Sequence, residues 1–202
     1  MRALLRTVLI LTLWAALPHS GASQVSWSFF ATNLAGIQNS AGQPLTLGTS
    51  GGLNNPQMFN ADVDGDGNDD LVVFDREGGR WLAFERTNGE WAERPDWTRG
   101  FPKNQQWVHV ADFNCDGVPD IFGWVTNGIG VWQGTRVGGG LQFSWALGNQ
   151  TELKSVYVQG NPAYNLQVIS VDRPFITDVD QDGDVDVLTF DMGGTKIEWH
   201  QN

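Results

Sequence analysis

Three nine-residue segments of one pattern recur along this chain of 202 residues, and nothing else in it constrains the fold as tightly. They are Asp62-Val-Asp-Gly-Asp-Gly-Asn-Asp-Asp70, Asp112-Phe-Asn-Cys-Asp-Gly-Val-Pro-Asp120 and Asp178-Val-Asp-Gln-Asp-Gly-Asp-Val-Asp186. In each, Asp or Asn stands at positions 1, 3, 5 and 9, and Gly stands at position 6. The loops hold 13 of the 23 acidic residues of the chain, so its acidity has a local cause. Carboxylates this close repel one another unless a cation sits among them.

That pattern suits calcium. The ion takes about six to eight oxygen ligands, which a tight loop can offer at alternate positions. In loop one the side chains of Asp62, Asp64, Asp66 and Asp70 supply oxygens, and the backbone carbonyl of Asn68 is placed to add another. Loop two offers Asp112, Asn114, Asp116, Asp120 and the Val118 carbonyl; loop three offers Asp178, Asp180, Asp182, Asp186 and the Asp184 carbonyl. None of these donors is nitrogen or sulfur, which disfavours zinc and copper. A turn rich in Asp and Gly without metal is the plain alternative. Three copies in register, with every ligand position filled, favour three calcium sites.

The flanks are β-type. Gln57 to Ala61, Trp107 to Ala111 and Pro174 to Thr177 lead into the loops, and Leu71 to Phe74, Ile121 to Trp124 and Val187 to Phe190 follow them. Turns come next at Gly78-Gly79, Asn127-Gly128 and Gly193-Gly194. Strands Trp81 to Arg86, Val131 to Arg136 and Ile197 to Gln201 then follow, and a fourth strand is clearest at Leu141 to Ala146. The repeat units span about 51–100, 101–147 and 168–202, with an insertion at about 148–167 that carries β-like pieces at Ser155 to Val158 and Leu166 to Val171. A further strand is expected at Val25 to Phe30. The chain reads as all-β.

An EF-hand is excluded, because it needs Glu at position 12 followed by a helix. Position 12 here is Val73, Gly123 and Thr189, and β-formers surround it. The loops are also too far apart for a back-to-back calcium β-roll, since their first aspartates are 50 and 66 residues apart.

The ends and the charge bound the setting. Arg2, Arg6 and the apolar run Val8 to Leu17 have the form of a cleaved secretory leader over 1–23, leaving 24–202 as the mature region. That run is too short to cross a bilayer. The net charge is −11, and no Lys or Arg cluster offers itself to a nucleic-acid backbone. Cys115 is the single cysteine, so no intrachain disulfide can form. In an exported domain without that staple, metal can take its place.

These residues carry a family resemblance. The three units resemble FG-GAP/VCBS repeats, whose loop joins neighbouring strands of a β-propeller blade, as in integrin alpha chains. Gly52 to Gln57, Asp186 to Phe190 and Glu198 to Asn202 resemble the large exported bacterial members. The resemblance covers about 51 to 202 and implies a partial propeller of three blades, the third incomplete. It implies a calcium-binding extracellular scaffold for adhesion or recognition, secreted or at the cell surface. An accessory, non-catalytic domain of a secreted carbohydrate-active enzyme and a structural repeat of a surface fibre are the other roles it allows.

No catalytic constellation is legible, so the chain is expected not to be an enzyme. His109 and His200 read as ordinary strand residues. Of the ten tryptophans, Trp81, Trp124, Trp132, Trp145 and Trp199 recur around the strands and are expected in the core. Trp91, Trp97 and Trp107 crowd one connecting segment and, if exposed, would form a stacking surface for a glycan or protein. The expected partner is an extracellular protein or glycan, with no nucleic acid and no membrane insertion of the mature chain.

Overall fold

The computed structural model describes residues 38–45, 47, 50–103, 106–126, 128–147, 152–157 and 159–202. The leader and the strand expected at Val25 to Phe30 lie outside the described residues. Among those described there is no helix, and strands make up the regular structure.

Each acidic loop joins the first two strands of an antiparallel meander. The first sheet runs β1 (Pro56–Ala61), β2 (Asp70–Asp75), β3 (Arg80–Thr87) and β4 (Glu90–Glu93) in that order. The second runs β5 (Val108–Ala111), β6 (Asp120–Val125), β7 (Gly128–Val137) and β8 (Gly140–Trp145). Two-residue strands β9 (Lys154–Ser155) and β10 (Tyr164–Asn165) pair with each other. The third sheet holds β11 (Phe175–Thr177), β12 (Asp186–Phe190) and β13 (Ile197–His200). The sheets are open propeller-like blades, and they do not close on themselves.

Local chemistry sets these hairpins. β3 and β4 are joined by Asn88-Gly89, and β7 and β8 by Gly138-Gly139, with positive φ at all four residues. Two-residue loops of that hand match the twist of the flanking strands. At the β12–β13 turn the Asp191 carboxylate accepts from the N–H groups of Thr195 and Lys196 at 2.6 and 3.0 Å. Gly128 opens β7 instead of sitting in a turn, because it pairs with Val125.

The central strands explain why their sequences read as unbroken apolar runs. Val72 and Phe74 point into a core that joins sheets one and two, with Val63, Val108, Ile121 and Leu141. Val73 points the other way, to a cluster with Leu82 and Phe84. A second inter-sheet core gathers Trp107, Phe122, Ile129 and Val131 with Ile176 and Val187 of sheet three. Strands covered on both faces lose the alternation that a half-exposed strand would show. Each fully buried side chain of this kind contributes about 2 kcal/mol.

Three further expectations are corrected. Leu166 to Val171 is not a strand; Leu166 and Val168 are buried, and the carbonyls of Val168 and Ser170 accept from the side chains of Trp124 and Arg76. Those contacts take the groups a ladder would need. Trp107 is buried, whereas Trp91 packs against the Val73 cluster and Trp97 against the first inter-sheet core. Three tryptophans near in sequence therefore serve three different cores, and no shared stacking surface forms. Trp199, expected inside, is about half exposed at 49%.

Candidate metal loops

The three loops adopt one hydrogen-bonded frame. The position-1 carboxylate accepts from the position-6 glycine N–H: Gly67 to Asp62 at 3.2 Å, Gly117 to Asp112 at 2.7 Å and Gly183 to Asp178 at 3.1 Å. The position-7 N–H groups of Asn68, Val118 and Asp184 donate to Asp66, Asp116 and Asp182 at 2.7, 2.8 and 3.3 Å. Position 9 faces back across the loop: Val63, Phe113 and Val179 donate to Asp70, Asp120 and Asp186 at 3.1, 2.8 and 3.1 Å. These bonds curl each loop around its own acids.

Two positions per loop need left-handed backbone. Gly67, Gly117 and Gly183 at position 6 have φ of 85°, 79° and 103°. Position 4 is also left-handed, and there Gly65 gives way to Cys115 and Gln181, with φ of 59° and 66°. A side chain strains that conformation where glycine does not. The exposed Gln181 engages the frame through its backbone N–H, which donates to Asp178 at 2.6 Å. Gln181→Gly is therefore expected to stabilise the chain by about 0.5–1 kcal/mol. An unchanged or lower denaturation midpoint would contradict this.

The structure brings Asp62, Asp64 and Asp70 together, and likewise Asp178, Asp180 and Asp186, each trio with ligand oxygens within 4.8 Å of one another. Loop two forms no such trio of acids, because Asn114 stands where the others have a second carboxylate. Its amide instead donates to Asp116 at 3.0 Å. Asp66 and Asp182 belong to the same loops without joining the close trios.

Position 9 differs between loops in its electrostatics. All three carboxylates are buried. Burial first, then the charges of Asp64, Asp66 and Asp62, pushes Asp70 up to about 6 against the pull of the Val63 N–H. Asp120 is also raised by burial, although the Gly134 and Phe113 N–H groups oppose it. Burial pushes Asp186 the same way, but bonds led by the Asn202 and Val179 N–H groups hold it below its ordinary value. The second donor is topological. Gly134 and Asn202 occupy equivalent places, two residues past Trp132 opposite Ile121 and two past His200 opposite Val187, and donate to Asp120 and Asp186 at 2.6 and 3.0 Å. Among the described bonds, Asp70 accepts from Val63.

Residues far off in sequence complete the loops. Arg136 of β7 reaches loop one from the neighbouring sheet, donating to the Asp62 carboxylate and carbonyl at 3.0 Å each. Cys115 donates through Sγ to the Gly183 carbonyl at 3.3 Å, so loops two and three touch. Gln201 donates to Asp180. Nothing in the sequence marks these partners, because they depend on which sheets are neighbours.

The donor set fits a hard divalent cation. It is all oxygen, and it concentrates negative charge that the protein itself leaves incompletely balanced. No helix among the described residues is long and apolar enough to cross a membrane.

A comparison with curated proteins returned no match. A comparison with protein families matched residues 62–123 to the FG-GAP-like repeat. That stretch runs from the start of loop one, through sheet one and loop two, into β6. From Asp62 to Gly123 the chain thus matches an FG-GAP-like repeat, set in an all-β stack of open, propeller-like blades.

Proposed function

We propose that this is an exported, calcium-stabilised repeat module that serves as an extracellular scaffold for adhesion or recognition, with an unidentified extracellular protein or glycan as partner. The observation that carries the calcium reading is the convergence of Asp62, Asp64 and Asp70, and of Asp178, Asp180 and Asp186, in loops of one frame. Asp112, Asn114, Asp116 and Asp120 form the third site, with Asn68, Val118 and Asp184 contributing at position 7 of each loop. Bound there, calcium would supply positive charge that ties two strand ends together. The chain's own part is to hold the oxygens and anchor position 9 in the sheet. A recurring site of this kind suits a structural ion; a catalytic metal keeps an open position at a single substrate pocket. No catalytic role is assigned.

Loop two is the weakest of the three sites in this reading. It carries three acids where each of the others carries five, with a similar count of oxygens. Less negative charge means weaker attraction for a divalent ion. Calorimetric titration of Asp66→Ala, Asp116→Ala and Asp182→Ala checks it. The Asp116 change should remove the weakest of three binding events, and loss of the tightest event would reject this order. A glycan array, read with and without calcium, tests recognition; absence of any bound glycan or extracellular protein would leave a scaffold that binds nothing and overturn that half of the reading.

A further inference from the structure

The sheets stack by a repeated rule, and the third sheet leaves the rule unfinished. In sheet one, Phe59, Val72 and Ala83 lie opposite one another, as do Phe74 and Trp81, so all five share a face. That face meets Val108 and Ile121 of sheet two. The equivalent face of sheet two holds His109, Phe122, Val131, Trp124 and Ile129. It meets Ile176 and Val187 of sheet three.

In sheet three the same register places Phe175, Leu188 and Trp199 opposite one another, and Phe190 opposite Ile197. Strand alternation puts these five on one face. Among the described residues no further sheet packs on it. Phe175 is 60% exposed, Phe190 48%, Ile197 64% and Trp199 49%. Met192, in the adjoining turn, is 90% exposed. None of the five is charged. Side chains of this size offer on the order of 500 Å² of largely apolar surface.

We infer that this face is the contact surface of a homodimer, in which the third sheets of two copies pack face to face about a two-fold axis. The choice of occupant follows from the rest of the molecule. A head-to-tail copy would need the opposite face of sheet one as its receiver. There Val73, Leu82 and Phe84 are already buried, with Leu53 and Trp91 packed against them. The outward face of sheet three is thus the apolar surface of matching size that a second copy brings. Two such faces together remove about 1,000 Å² from water, the least that a biological interface buries and the size of a weak dimer. Aromatic side chains at its centre are the kind that anchor such contacts.

The test is the mass of the chain in solution, measured by light scattering and sedimentation over a dilution series with calcium present. The expected result is a dimer that dissociates on dilution in the micromolar range. Ile197→Lys places a charge in the centre of the contact and should weaken the dimer by about 100-fold. Because Ile197 is exposed, its circular dichroism should stay that of the parent, and its melting should match that of the parent when both are diluted to monomer. Met58→Lys, on the far face of sheet one, should leave the dimer intact. A parent chain that stays monomeric throughout overturns the proposal, as does growth into open-ended polymers. A dimer that survives both Ile197→Lys and Trp199→Glu would place the contact elsewhere and overturn it too. The dilution series on the parent needs no variant, so it decides even if a variant misfolds.

Discussion

Calcium at about 1 mM is expected to raise the melting temperature of the metal-free chain by roughly 10 °C. Extracellular calcium modules bind with dissociation constants of about 0.1–1 mM. A site of about 0.1 mM affinity, at about 1 mM calcium, stabilises the folded state by about 1.4 kcal/mol through linkage. Three such sites add about 4 kcal/mol, a large share of the stability of a domain this size. The structure gives the effect a direction as well. Metal-free, Asp70 is buried beside Asp62, Asp64 and Asp66, and its carboxyl is pushed up to about 6. Holding it ionised at neutral pH therefore costs folding free energy that a cation would relieve. Calorimetric scans with calcium and with a chelator measure the shift. Identical scans would reject calcium as a structural component.

Asp120→Ala should lower stability by about 3 kcal/mol even in the presence of chelator. Asp120 is buried, and its two oxygens accept from Gly134 and Phe113 at 2.6 and 2.8 Å. Removing the carboxylate strands the buried Gly134 donor and the part-buried Phe113 donor, at about 1–3 kcal/mol for each that water cannot reach. Some relaxation offsets part of that sum. Asp112→Ala gives the contrast. Its carboxylate accepts from exposed loop N–H groups that water can satisfy, so its loss should matter chiefly when calcium is present. Chemical denaturation of the two variants, with and without calcium, separates a structural carboxylate from a ligand. Equal losses for both variants under chelator would count against this division.

Much of the local architecture was legible because it is local. The Asp-x-[Asp/Asn]-x-Asp-Gly pattern marks a tight loop, since left-handed backbone at position 6 calls for glycine and the flanking β-formers call for strands. The strands expected around all three loops match those observed to within a residue or two, as do the turns at Gly78-Gly79 and Gly193-Gly194. The region from Leu166 to Val171 misled for a physical reason. Its apolar residues are buried in a core, and burial selects the same side chains as a strand does. Position 4 was equally hidden, because Cys115 and Gln181 give no sign of the left-handed conformation that Gly65 announces.

By itself, the sequence determined an all-β chain, three equivalent acidic loops and the oxygen-only donors that suit a hard cation. Those follow from spacing within nine residues and from the strands at either side. Only the tertiary structure decided which charges balance which. Arg136 answers Asp62 across 74 positions, and Cys115 meets Gly183 across 68, because the sheets that carry them are neighbours. The same holds for the tryptophans: Trp107 is buried and Trp199 stands half exposed, although both lie on or beside β-strands. A side chain's burial depends on whether another sheet covers its face, and a periodicity of two shows which residues share a face without showing what lies against it.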